Sequence, residues 1–199
     1  MSRIARHTFA SSGLDKDTFR VLRFEGTEAI SEPFRFVIHL VSKDAEVDFS
    51  KVIDTPATLT MLRGDDPSEI DGIVSDFQQS HAAGGQSDFR YVYRAVLVPR
   101  LWRLTLSEQS RIFQKLTVQE IVDAILREAD VDCTWQLNAS YEPREYTTQY
   151  QESDLHFVQR LLEFEGIRYH VEHANGKDTV IFSDDASDAL RYHGRAAPS

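Results

Sequence analysis

The seven histidines are the side chains whose potential chemistry is easiest to recognise, because imidazole nitrogens bind zinc and related metals. A metal site needs several such ligands close together in space, and pairs spaced to share one side of an element are the pattern that a sequence can show. His170 and His173 are three residues apart, but they fall in a predicted strand, where that spacing points them to opposite faces. His156 falls on a predicted helix, and Arg160 follows it four residues later instead of a second ligand. The sequence therefore predicts no metal site.

Paired carboxylates, which could act as a general acid and a general base, occur three times. The pairs are Asp65 with Asp66, Glu163 with Glu165, and Asp184 with Asp185. The aspartate pairs flank predicted turns, where Asp is common because it hydrogen-bonds to the local backbone. Glu163 and Glu165 diverge on a predicted helix, and Glu163 is spaced to form a surface ion pair with Arg160. None of the three pairs predicts an acid–base site.

The sequence also lacks nucleophile and phosphate-binding motifs. It contains no Gly-x-Ser-x-Gly segment, and Gly84-Gly85 is not followed by the Lys-Ser/Thr of a phosphate loop. Cys133, the only cysteine, alternates with Trp135 in a short strand pattern, which predicts a buried thiol. We therefore expect no catalytic residue, no cofactor and no enzymatic activity. A wall hydrolase or metal-dependent esterase is the less favoured alternative.

Composition limits the classes of partner. The 199 residues carry a formal net charge of -10, with 41% hydrophobic and 27% charged residues, as in an ordinary soluble globular protein. An acidic chain does not displace phosphate counterions, so nucleic acids and anionic membrane surfaces are disfavoured as partners. We expect no signal peptide and no membrane-spanning segment, because no sufficiently long apolar run occurs. The single cysteine fits folding in a reducing cytoplasm.

Residues up to about 106 are dominated by predicted strands. The strand patterns cover residues 18–24, 34–41, 57–62, 70–79 and 89–99. The clearest alternation is Phe34-x-Phe-x-Ile-x-Leu40, whose apolar residues share one face. Gly72 predicts a bulge or a close backbone approach, and residues 81–88 predict a flexible hairpin connection. Several strands without an intervening helix predict a barrel or a sandwich.

The remainder of the chain has mixed helix and strand patterns. Residues 101–104 and 111–114 frame a predicted polar loop, and Thr117-Val-Gln-Glu120 is a capping box that begins a helix. Residues 133–137 alternate as a short strand, and Asn175-Gly176 predicts a hairpin turn. These patterns predict a compact α+β unit from about residue 115 to residue 185.

Residues 144–170 predict a strand, a helix and a second strand in close succession. Ser153 is a predicted N-cap with acidic neighbours that favour the positive end of the helix dipole, and Gly166 fits the left-handed position that ends a helix. Two apolar rows are expected to be buried: Leu155, Val158 and Leu162 in one, and Phe157, Leu161 and Phe164 in the other. Arg160, Glu163 and Glu165 are expected to be exposed enough to serve a subunit interface.

The same stretch resembles the signature of the VgrG family, the type VI secretion spike proteins related to phage late control protein D and myophage tail-hub proteins. Further similar segments precede it in order, including Asp71-Gly-Ile-Val74, where the family usually has His-Gly-Ile-Val. The resemblance implies that the signature residues are structural. They are Leu101, Trp102, Arg111, Phe113, Gln114, Tyr150, Glu152, Ser153, Asp154, Phe157, Arg160, Glu163, Glu165 and Gly166.

The resemblance implies an α+β fold: a β-barrel subdomain of the phage tail-hub type at residues 1–110, followed by a small α+β subdomain at 111–190 with two helices and a terminal hairpin, and a loose tail at 191–199. It also implies a structural role as the N-terminal hub segment of a spike protein. Three copies would connect the tail tube to the puncturing spike of a contractile injection apparatus. The expected partners are further copies of the chain, the tail-tube protein, and baseplate and effector proteins. We expect assembly in the cytoplasm and delivery outside the cell by the apparatus.

Two departures from the family pattern qualify this expectation. Asp54-Thr55 stands where the family commonly has Gly before Pro or Ala-Thr, which is a local turn difference. Typical members also continue beyond the equivalent of Ser199, so the homotrimer could need a C-terminal region. The alternatives left open are a hub protein of a phage or prophage tail, and an adaptor or cargo-docking fragment of such a system.

Overall fold

The computed structural model describes residues 7–63, 66–80 and 91–185 of a chain that divides into two compact units. The first unit comprises residues 1–28, 34–99 and 173–178, and the second comprises residues 29–33, 100–172 and 179–199. A boundary after residue 110, as predicted, would fall inside a strand of the second unit. The predicted hairpin connection at 81–88 and the tail at 191–199 lie outside the described residues.

One six-stranded sheet forms the framework of the first unit. Its strands are β1 His7–Ser11, β2 Arg20–Ala29, β3 Glu32–Ser42, β4 Pro56–Arg63, β5 Asp66–Gln79 and β6 Tyr91–Val98, in the order β1-β4-β5-β6-β3-β2. The ladders from β1 through β4, β5 and β6 to β3 are antiparallel. A short 3-10 helix, Phe49–Lys51, lies between β3 and β4.

The sheet curls as a barrel does. The ring centroids of His7 on β1 and Phe24 on β2 are 5.0 Å apart, although these strands are the two ends of the hydrogen-bonded order. The ring of Phe19 contacts Phe77 and Tyr93 edge-on, at centroid distances of 5.8 and 5.6 Å. Aromatic side chains therefore fill the concave side, where burial of apolar surface stabilises the curl.

Gly72 on β5 marks a close backbone approach, as predicted. A Cβ atom at this position would lie 2.3 Å from the carbonyl oxygen of Val98. The irregularity in the β5–β6 ladder lies between Val74 and Asp76, so the bulge is not at the glycine. The predicted alternation from Phe34 to Leu40 is also present, and its four apolar residues are all buried.

The second unit contains two helices and two small sheets. A 3-10 helix, Arg100–Thr105, is followed by β7 Glu108–Leu116, α1 Val118–Glu128, β8 Cys133–Gln136, β9 Arg144–Ser153, α2 Asp154–Glu165, β10 Arg168–Ala174 and β11 Lys177–Ser183. One sheet has the order β10-β11-β8, with β8 and β11 parallel, and the other is an antiparallel ribbon of β7 and β9. The predicted fold class, a barrel-type sheet with an α+β part, is confirmed.

Local sequence signals explain most of these elements. The capping box of α1 is complete, because Thr117 accepts from the backbone of Glu120 and the Glu120 side chain accepts from the backbone of Thr117. Asn175 and Gly176 have φ values of 55° and 75°, which suit the tight turn between β10 and β11. Gly166 ends α2 in the left-handed region, with φ 71°.

Two sequence expectations for this unit were wrong. The second half of the polar loop predicted before Arg111 is strand, because β7 already begins at Glu108. Phe164, assigned to a buried row of α2, is 79% exposed, whereas its row-mates Phe157 and Leu161 are fully buried. The guanidinium of Arg144 lies 4.8 Å from the centroid of the Phe164 ring, so a cation–π contact accounts for this exposed aromatic residue.

Candidate functional site

The junction between β9 and α2 holds a buried carboxylate. Ser153 caps the helix by accepting from the backbone N–H of His156 at 3.2 Å. Asp154, the next residue, is only 7% exposed, and its Oδ2 accepts from the hydroxyl of Ser107 at 2.8 Å. Its Oδ1 accepts from Gln149 at 2.8 Å and from Arg111 at 2.5 Å. Helix capping was therefore an incomplete explanation of Asp154, which also anchors a polar network.

Arg111 connects this network to three elements. Besides Asp154, its guanidinium donates to Gln149 Oε1 at 3.0 Å and to Glu128 Oε2 at 2.8 Å. Glu128 is the last residue of α1. Each donor group thus has an acceptor, as a buried charge requires if it is not to be strongly destabilising. The network fixes the register of β7 against β9 and both of them against the start of α2.

A second ion cluster lies one turn along α2. Glu152 accepts from Arg160 at 2.6 Å and contacts His156 at 2.8 Å. The hydrogen bond from Arg160, with the positive charges of Arg160 and His156, lowers the pKa of Glu152 from its ordinary value. The predicted ion pair between Arg160 and Glu163 was wrong, because the guanidinium turns back to Glu152 and to the carbonyl of Thr148.

Arg160, Glu163 and Glu165 were all expected to be exposed, and two of the three are. Glu163 is exposed and the Arg160 side chain is 47% exposed. The Glu165 side chain is 23% exposed and forms an ion pair with Arg144. Gly166 follows at the end of α2, so this part of the signature shapes a helix end.

The other signature residues divide between the core and the surface. Leu101 is buried in the core of the second unit, Trp102 is half-buried, and Phe113 stacks on Phe157 with centroids 5.7 Å apart. Gln114 and Tyr150 instead lie on the opposite side of the β7–β9 ribbon, where both are exposed. The structure thus brings Arg111, Phe113, Glu152, Ser153, Asp154, Phe157 and Arg160 close to one another, and separates them from Gln114 and Tyr150.

The outward side of the ribbon is apolar in its largest side chains. Ile112 and Tyr146 are each 65% exposed, and Tyr150 is 70% exposed. Ile112 pairs with Thr148, and Gln114 pairs with Tyr146. We call the surface formed by Ser110, Ile112, Gln114, Tyr146, Thr148 and Tyr150 the outer face.

Three components of these sites were missed from the sequence alone. Ser107, Glu128 and Gln149 all bond within the network, and only Gln149 left a signal. It occurs two residues after Thr147, and both are buried on the inward side of β9. Gln149 bonds within the network, whereas the Thr147 hydroxyl has no hydrogen-bond partner among the described residues. Polar residues repeating with a period of two in a strand can therefore indicate a buried polar side as well as a solvated face.

The remaining chemical candidates have structural explanations. Burial raises the pKa of the Cys133 thiol to about 12, with further contributions from the nearby carboxylate of Asp123. Asp184 accepts from the backbone N–H groups of Asn138 and Ala139, which lower its pKa. Within the described ranges, no group of three or more His, Cys, Asp or Glu residues could hold a metal ion. In that part of the chain, too, no helix has the length and apolarity to cross a membrane.

The hydrogen bonds at the β9–α2 junction can hold the strand and the helix in fixed positions. The Asp154 carboxylate accepts three hydrogen bonds, and Arg111 donates to three different acceptors. A carboxylate bonded in this way ties its donors to the start of the helix. The site is a hydrogen-bonded joint between strand and helix.

Residues 27–198 match the model of the family described as phage tail baseplate hub (GPD). The chain is 40% identical over 187 residues to the type VI secretion system spike protein VgrG4b of Pseudomonas aeruginosa, covering 91% of this chain and 22% of that protein. It is 36% identical over 189 residues to the actin cross-linking toxin VgrG1 of Vibrio cholerae, covering 89% of this chain and 17% of that protein. The chain therefore spans about a fifth of the length of these relatives.

Solved structures show the same fold. An E. coli protein, c3393, described as a component of the type VI secretion system similar to the T4 tail proteins gp27 and gp5, aligns with a TM-score of 0.79 and 31% identity. The alignment covers 90% of this chain and 49% of that chain. The 43 kDa tail protein of prophage MuSo2 from Shewanella oneidensis aligns with a TM-score of 0.56 and 13% identity, over 91% of this chain and 56% of that one.

Proposed function

The chain belongs to the phage tail baseplate hub family, within its VgrG-like spike branch, and we propose that it is the structural hub segment of a type VI secretion spike. In this role three copies form a ring that connects the tail tube to the puncturing spike. Identity of 40% over 91% of the chain to a protein named as such a spike carries the proposal. The hydrogen-bonded β9–α2 junction supports it, because a satisfied buried network holds structural elements in one arrangement.

We propose a type VI system in preference to a phage or prophage tail. Identity to the E. coli secretion component is 31%, and to the prophage tail protein 13%, so the second likeness reflects fold alone. The proposed partners are further copies, the tail-tube protein, and baseplate and effector proteins. We also propose that the chain assembles in the cytoplasm and leaves the cell with the apparatus.

The proposed role is non-enzymatic. The relatives in this part of the chain are named as spike and hub proteins, and the one named as a toxin extends far beyond the matched 17% of its length. The saturated bonding of Asp154 and the protonated Cys133 thiol give no support to acid–base or nucleophilic catalysis.

Cryo-electron microscopy of the assembled particle tests the proposal. Density for this chain is expected at the junction of tube and spike, in three copies. Density at any other position would contradict the hub role. An adaptor or cargo-docking fragment, the remaining alternative, would instead retain an effector protein in a pull-down without forming a trimer.

A further inference from the structure

The outer face of the β7–β9 ribbon has no explanation within the described fold. Its residues Ile112, Tyr146 and Tyr150 are among the most exposed large apolar side chains of the described residues. Sheets that expose one face to water normally place polar side chains there. This ribbon departs from that rule, because Ile112, Tyr146 and Tyr150 point outward, while Arg111, Thr147 and Gln149 share the inward side with Phe113.

The three apolar side chains lie close together. Ile112 pairs directly with Thr148, which places Tyr146 and Tyr150 as its diagonal neighbours on the partner strand. A tyrosine side chain has roughly 150–250 Å² of surface that a partner can cover. At their exposures of 65%, 65% and 70%, Ile112, Tyr146 and Tyr150 together leave on the order of 350 Å² of surface open. That is comparable to the largest patch on a typical monomer, and about half of the ~800 Å² that each partner contributes to a stable interface.

We propose that this outer face is one side of the contact between copies of the chain. The proposal deepens the hub function and rests on it. All six residues of the face are uncharged, in a chain with a net charge of -10. Two such acidic chains repel each other over most of their surface, and the repulsion is smallest where neutral surfaces meet. A basic partner would be attracted to acidic side chains, which this face does not present.

The charges at the edge of the face also suit a second copy. Lys115 and Glu145 are both exposed, and within the described residues neither forms an ion pair. They follow Gln114 and precede Tyr146 in the chain, at the end of the ribbon where these two residues pair, and they carry opposite charges. A neighbouring copy, which carries charges of both signs, can complement such an end, and tyrosines are favoured anchors for contacts of this kind.

Site-specific photocrosslinking tests the contact in assembled particles. Benzoylphenylalanine replaces Tyr146 in the full chain, and Leu22, which is 59% exposed on β2, receives the same group as a matched control. We expect covalent dimers and trimers of the chain when the crosslinker is at position 146. The variant with the crosslinker at position 22 should give far fewer of these products. Crosslinks from position 146 to a different protein only, or none, would overturn the proposal.

Light scattering on the same chain gives an independent test. The double change Ile112→Asp and Tyr146→Asp introduces like charges into the face, and we expect at least a tenfold weaker self-association. The control change Leu22→Asp should leave association unchanged. If the double variant associates as the wild-type chain does, the proposed contact is wrong, but the hub role is not affected. The hub role would instead fail if density for the chain lay away from the junction of tube and spike.

Discussion

The six-stranded sheet and the β7–β9 ribbon differ in where they place polar and apolar side chains. In the sheet, the apolar residues of β3 face a buried, aromatic-rich interior. In the ribbon, the inward side carries Phe113 together with Arg111 and Gln149, and the outward side carries Ile112 and two tyrosines. The sheet is held by burial of apolar surface, whereas the inward side of the ribbon combines an aromatic stack with the hydrogen-bond network around Asp154. The exposed apolar side chains of the ribbon form the surface that the proposed contact between copies would cover.

The largest effect is expected in the sheet. Leu40→Asn removes a fully buried side chain and places an unpaired amide in an apolar interior, so unfolding should become easier by about 4 kcal/mol. Urea unfolding followed by circular dichroism measures the change. The matched variant Leu22→Asn, on an exposed position of the same sheet, should change stability by less than about 0.5 kcal/mol. Equal losses in the two variants would remove the distinction between the sheet's faces.

A slightly smaller loss is expected from the inward side of the ribbon. Asp154→Ala leaves Arg111, Gln149 and Ser107 without their shared acceptor, and removing one partner of a buried ion pair destabilises by about 3 kcal/mol. Urea unfolding again provides the measurement. Glu163→Ala, at an exposed position of the same helix, is the control and should have an effect near zero. A stable Asp154→Ala variant would show that the network does not hold the ribbon.

The Glu152 cluster predicts a small pH-dependent effect. The folded state holds the Glu152 pKa below its ordinary value of 4.5, so the cluster stabilises the fold above that pH and loses its effect as the pH falls through the lowered pKa. Near pH 7, Glu152→Gln should destabilise by about 1 kcal/mol or less, because Arg160 is partly exposed. The difference from the wild-type protein should shrink as the pH falls below 4.5 and through the lowered pKa of Glu152. A difference that is constant from pH 7 to pH 3 would contradict this assignment.

The smallest effect on stability is expected at the outer face. Ile112→Thr and Tyr146→Thr keep residues that favour strands and remove side chains that contact mainly solvent, so each should change stability by less than about 0.5 kcal/mol. Thermal unfolding of dilute protein, where copies do not associate, measures this. A loss above about 2 kcal/mol would mean that these side chains pack within the chain and are not an assembly surface.

The same contrast decides what could be predicted from the sequence. The alternation of β3, the capping box of Thr117 and the left-handed Gly166 follow from local patterns, and all three are present. The ribbon was harder, because β7 mixes an inward arginine with an outward isoleucine and so matched no amphipathic pattern. Arg160 could have paired with Glu152 or with Glu163, and only the path of β9 before α2 decides between them. Resemblance to a family supplied the tail-hub fold type and the structural role, which periodicity does not.

The Cys133 thiol has a practical consequence for labelling. With a pKa of about 12, on the order of one molecule in 10⁵ carries the reactive thiolate at pH 7. A maleimide or a disulfide reagent would therefore react far more slowly with this residue than with a solvent-exposed cysteine. A cysteine introduced on the ribbon, for example by Thr148→Cys, could carry a fluorophore or spin label while the natural thiol stays in place. The native chain is thus ready for distance measurements between copies without prior removal of its own cysteine.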